Sequence, residues 1–65
     1  MSNAILDLIV REQNKLERRR ATVEATKVEI EILGGSQNLS NKLLRQEASV
    51  KESLAVLKKL NDANK

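Results

Sequence analysis

Ile30-Glu31-Ile32-Leu33-Gly34-Gly35-Ser36-Gln37-Asn38-Leu39-Ser40 divides the chain in two. On its left an apolar periodic run stops at Leu33. On its right another begins at Leu39. Between them stand the two glycines of the sequence, side by side, and there is no proline anywhere. Glycine accepts the left-handed conformation that satisfies the last carbonyls of a helix. Ser36, Asn38 and Ser40 are each able to cap a following helix, with Ser36 or Asn38 preferred. This punctuation implies two long helices and one break. The expected fold is all-α, an antiparallel two-helix hairpin of coiled-coil-like character, in one domain covering residues 1–65. Helix 1 is expected over about residues 4–33, the turn over 34–38 and helix 2 over about 39–61. A connection this short favours antiparallel neighbours. The tail from Asp62 to Lys65 should fray.

Working outward, the left-hand run has a strict period. Ile9, Leu16, Val23 and Ile30 are seven residues apart. Ile5, Leu8 and Leu33 join their side when each position is turned ~100°. A second apolar strip lies nearly opposite, at Leu6, Val10, Ala21, Ala25, Val28 and Ile32. Gln13, Arg20, Glu24 and Glu31 separate the two strips on one side, and Arg11, Lys15, Arg18 and Glu29 on the other. A helix that packs in a simple hairpin needs one apolar face. The alanines alone could be ordinary helix formers. Val28 and Ile32, β-branched and next to them, are unusual choices for a solvated face. The right-hand run places Leu39, Leu43, Val50, Leu54 and Leu57 on a main face, with Gln46 inside the row. Leu44, Ala48 and Ala55 form a smaller side strip, while Val56 and Leu60 fall outside the main face.

A chain of 65 residues and 7.3 kDa holds one small core at most. Such a fold buries only roughly 60% of the surface its unfolded chain exposes. Small scaffolds usually add disulfides, a metal or a partner. Cysteine and histidine are both absent, which removes disulfides and the usual zinc and copper ligands. A partner remains. The aromatics are absent too, so the core must be built from Leu, Ile, Val and Ala.

Several functions find no support. Catalysis needs a base, a nucleophile or a metal held in a pocket. Here the candidates are Asp, Glu, Lys, Ser and Thr among alternating charges, and two helices enclose no cleft. Gly34-Gly35 lacks the spacing of a phosphate loop. Glu24, Glu29 and Glu31 do not form the inward Glu-x-x-His arrangement of a di-iron bundle. No catalytic, cofactor-binding or metal-binding residue is assigned. No apolar stretch approaches the ~18 residues of a membrane span. Ala4 to Val10 is interrupted by Asp7 and lacks the basic leader and cleavage site of a signal peptide. Ser2-Asn3-Ala4 matches a common tag remnant and carries no functional weight.

The net charge of +3 is unevenly placed. The first 33 residues balance, and the excess lies at Lys42, Arg45, Lys51, Lys58, Lys59 and Lys65. Arg18-Arg19-Arg20, with Arg11 and Lys15, raises nucleic-acid binding as a lesser alternative. Against it, consecutive arginines splay around a helix, acidic residues flank them, and no aromatic offers base stacking. The plainer expectation is a solvated, ion-paired surface.

Two long helices, a Gly-Gly break near the middle and an apolar second helix resemble the YscE family. The likeness is best at Leu33-Gly34-Gly35, at Leu44-Arg45-Gln46-Glu47 and at Glu52-Ser53-Leu54-Ala55-Val56-Leu57. Family members often carry an aromatic in the second helix, and this chain has none. These are small cytoplasmic co-chaperones of bacterial type III secretion systems. The resemblance implies a cytoplasmic protein that pairs with a tetratricopeptide-like, helical-repeat chaperone. Together they keep the needle subunit soluble before export. The small protein need not touch that subunit itself.

The larger side chains at Ile9, Leu16, Val23 and Ile30 are expected to face helix 2. Ala21, Ala25, Val28 and Ile32 then form the expected partner-binding strip, where small residues permit close helix approach. The reverse assignment is also open. The alternative to a heterologous partner is a homodimeric four-helix bundle acting as an adaptor or assembly module. Both solutions bury the same strip.

Overall fold

The computed structural model describes residues 4–64 and consists of two antiparallel helices. Helix α1 spans Ala4–Leu33 and α2 spans Gln37–Ala63. Residues 1–3 and Lys65 lie outside the described residues, so of the tag-like segment only Ala4, the first residue of α1, has a structural account. The hairpin is a rod of 52 × 14 × 13 Å.

Local chemistry sets the turn. Gly34 sits at φ 82°, the left-handed region, and ends α1. Ser36 takes extended backbone (φ −129°, ψ 161°), and its Oγ accepts the amide of Leu39 at 3.2 Å. The Ser36 carbonyl accepts the amide of Ser40 at 2.9 Å. The cap is therefore Ser36 and not Asn38, which lies inside the first turn. This corrects the expected boundary: α2 begins at Gln37 and the turn is residues 34–36. The far end also differs from expectation. Asp62 and Ala63 are helical, and the Asn64 amide closes back on the carbonyls of Leu60 and Asn61 at 3.0 and 3.2 Å.

Cross-helix contacts fix direction and register. Arg19 meets Ser49 and Ser53, Thr26 meets Gln46, and Glu29 meets Lys42. Numbers rise on one helix as they fall on the other. Ile9, Leu16, Val23 and Leu57 are buried, with Ile5, Val50 and Leu60 packed against the cluster of Ile9, Leu16 and Leu57. Ile30, Leu39 and Leu43 continue the seam half-buried.

The seam is not purely apolar. The seven-residue row Ile5, Glu12, Arg19, Thr26 and Leu33 supplies its other edge on α1. Leu39, Gln46, Ser53 and Leu60 do the same on α2. Thr26 and Ser53 are the two most deeply buried residues, at 1% and 0% exposure. Thr26 Oγ1 donates to Gln46 Oε1 at 2.6 Å. Arg19 Nη1 donates to Ser53 Oγ and to the Ser49 carbonyl, both at 2.7 Å. Among the described residues no buried side-chain polar atom lacks a partner. Two satisfied polar layers thus interrupt an aliphatic seam. Polar groups at such positions fix register at a cost in stability.

These layers displace some of the expected core. Ser53 takes the inward position, so Leu54 turns aside at 43% exposure while Leu60 packs on the core. Periodicity alone predicts the reverse, with Leu54 on the main face and Leu60 outside it. Leu8 lies one step off the seam residue Ile9 and is 47% exposed. Leu33 closes α1 at the turn end of the hairpin and is 72% exposed.

Candidate functional site

Ala21, Ala25, Val28 and Ile32 follow a 4-3-4 spacing, so they share one side of α1. That side is opposite Ile9, Leu16 and Val23. All four are exposed, Val28 at 48% and Ile32 at 75%. The structure brings them together as one patch over three turns. Leu6 and Val10 point the same way and are also exposed. Asn14 and Glu17 separate them from the patch. The strip is therefore two patches, the longer one nearer the turn. Beside it, Lys27 Nζ lies 3.6 Å from Glu24 Oε1. On α2, Leu44 is 65% exposed, and Leu54 and Val56 are partly so.

The two flanks of the hairpin differ in charge. One groove is lined by Lys15, Arg18, Arg19, Thr22, Gln46 and Ser49. It continues past Lys15 into a shallow cleft walled by Leu8, Arg11, Glu12, Val56 and Leu60. The other groove is lined by Arg20, Glu24, Lys27, Glu47 and Lys51 around Val23 and Val50, so its signs alternate. Seven-residue rows explain the difference. Arg11 and Arg18 share one row of α1, and Glu17, Glu24 and Glu31 share the row on the opposite flank.

Arg18 and Arg20 are exposed, as expected of a solvated surface, but the run is not ion-paired and Arg19 leaves it. Arg19 is half-buried and held by α2. Arg18 shares its groove, and Arg20 falls on the other flank. Among the described residues none of the three is paired with a carboxylate, whereas Lys27 pairs with Glu24 and Lys42 with Glu29, each at 3.6 Å. The chain matches no family model, no curated protein and no solved structure. What it does must be argued from these surfaces.

Among the described residues no cluster of acidic side chains could hold a metal ion. None of their helices is long and apolar enough to cross a membrane. The polar seam layers were the part that sequence reasoning missed. Gln46 within the main row of α2 was the available signal. Extending its row by seven reaches Ser53, and the facing row on α1 carries Arg19 and Thr26.

Proposed function

We propose that this chain is a non-enzymatic protein-binding module that docks through the outer face of α1. The observation that carries the reading is the patch of Ala21, Ala25, Val28 and Ile32. It is apolar, spaced like a helix-packing seam, and left uncovered by the hairpin.

The finer reading rests on the resemblance to YscE-like co-chaperones. In it the partner is a cytoplasmic tetratricopeptide-like chaperone, and the hairpin supports that chaperone while it holds the needle subunit. A partner that binds the folded hairpin stabilises it by mass action, which suits a core of so few buried aliphatics. The test is co-purification with such a chaperone from the same source, wild type against Val28→Glu. The variant should stay helical by circular dichroism and lose the chaperone. Helix loss in Val28→Glu, or retention of the chaperone, overturns the assignment of this strip.

A homodimeric four-helix bundle is the second reading, favoured by the apolar side chains of α2 that also stay uncovered, Leu44 above all. Sedimentation equilibrium of the chain alone separates the two. A helical monomer supports a heterologous partner, and a dimer whose helicity falls on dilution supports the bundle.

A further inference from the structure

The excess positive charge is gathered on one flank. Arg11, Lys15, Arg18 and Arg19 of α1 line its grooves. Arg45 and Lys59 lie on the same side of α2 by the seven-residue register. The carboxylates there are Glu12, half-buried at the seam, and Glu52; Glu29 is engaged by Lys42. The centre of this flank is a cleft of about 270 Å³ whose lining includes no carboxylate.

Arg19 gives the cleft a fixed feature. Its Nη1 is held by Ser53 Oγ and the Ser49 carbonyl at 2.7 Å each. Its Nε and Nη2 have no protein acceptor among the described residues. A guanidinium held by one corner, with its other edge open, is prepared for a two-pronged bond to a carboxylate. Lys15 and Arg18 stand at the rim of the same cleft. Towards the open end of the hairpin the groove gains aliphatic side chains at Leu8, Val56 and Leu60, beside Arg11, Glu12 and Lys15.

We propose that this flank is a second docking surface, and that its occupant is an acidic amphipathic helix of a protein partner. A helix lying in the groove would set aliphatic side chains against Leu8, Val56 and Leu60, and a carboxylate on the open edge of Arg19. The apolar end favours a protein over a nucleic-acid backbone, which would leave Leu8 and Val56 facing phosphate, and no aromatic is present to stack a base. The inference rests on the reading of the chain as a protein-binding module, but it uses a different surface from the strip around Val28.

The probe is a fluorescent 21-residue helical peptide with leucines on one face and glutamates beside them, followed by anisotropy against the full chain. Lys15→Glu/Arg18→Glu should weaken binding by at least ~10-fold, as loss of complementary charge does. Arg20→Glu/Lys51→Glu makes the same charge change on the other flank and should shift binding by less than about twofold. Leu8→Asn/Val56→Asn should weaken it without changing its salt dependence. Equal loss from both charge-reversed proteins would reduce the effect to net charge and overturn the proposal. So would failure of the peptide to bind, or preferential binding of a 15-base-pair DNA duplex. Val28→Glu should leave peptide binding unchanged, so a failure here and a failure of the strip reading are distinguishable.

Discussion

Arg19 and Ser53, 34 residues apart in sequence, meet across the hairpin at 2.7 Å. Ser53 is fully buried and Arg19 half-buried, so the contact belongs to the seam. The two side chains should therefore be coupled, so that their losses do not simply add. Ser53→Ala should lose ~1–2 kcal/mol, because a partly buried charged donor loses one of two acceptors. Arg19→Leu should also destabilise, leaving the buried Ser53 hydroxyl without its partner. The double change should cost less than the two together, by ~0.5–3 kcal/mol. Urea unfolding followed by circular dichroism measures all four corners, and simple additivity would show that the pair is not coupled.

Thr26 and Gln46 form the second polar layer, at 2.6 Å. Two apolar residues of similar shape should hold the helices more tightly while specifying their register less well. Thr26→Val/Gln46→Leu is therefore expected to raise the melting temperature by ~4–8 °C, as about 1 kcal/mol does for a domain this small. It should also broaden sedimentation into more than one species, because a seam with only the Arg19–Ser53 layer left to set its register slides or pairs with another copy more easily. A hotter, single-species variant would mean that the layer does not set register.

The turn offers a cleaner contrast. A Cβ on Gly34 would meet no atom within 4 Å, and one on Gly35 would only touch Ile30 Cγ2 at 4.0 Å. Space is available at both positions, and only Gly34 has positive φ. Gly34→Ala should therefore lose ~1 kcal/mol or more through backbone strain alone. Gly35→Ala should be neutral or slightly stabilising, since it restricts the unfolded chain. Thermal unfolding of the two single variants decides this, and equal losses would contradict the conformational argument.

The break at Gly34-Gly35 and the row Ile9, Leu16, Val23 were legible because each is a local pattern with one physical reading. Glycine pairs stop helices, and a seven-residue aliphatic repeat makes a seam. The polar half of that seam was harder to see. Arg19, Thr26 and Ser53 look like surface residues by type, and only the pairing of two rows across the hairpin satisfies them inside. The charged flank was hidden for the same reason. Three successive arginines splay by ~100° each, so where they end up depends on which face the partner helix claims. That choice sent Arg18 and Arg19 to one groove and Arg20 to the other. The outer strip at Ala21, Ala25, Val28 and Ile32 was legible as a spacing, but its occupant is not written in this chain.

Leu54 and Leu60 give the sharpest test of the register. Periodicity alone assigns Leu54 to the main face of α2 and Leu60 to its side. The polar layer at Ser53 reverses them, because the row running in sevens from Leu39 reaches Leu60. Leu60 packs against the cluster of Ile9, Leu16 and Leu57, while Leu54 is 43% exposed. Leu60→Ala should therefore cost ~1–2 kcal/mol, below the ~2–5 kcal/mol of a fully buried leucine because Leu60 is only partly covered. Leu54→Ala should cost under about 0.5 kcal/mol, as exposed substitutions do. Guanidinium unfolding at a concentration where the chain is monomeric compares them directly. A larger loss at Leu54 would mean that α2 turns its other edge to α1, and the Arg19–Ser53 layer would have to be abandoned with it.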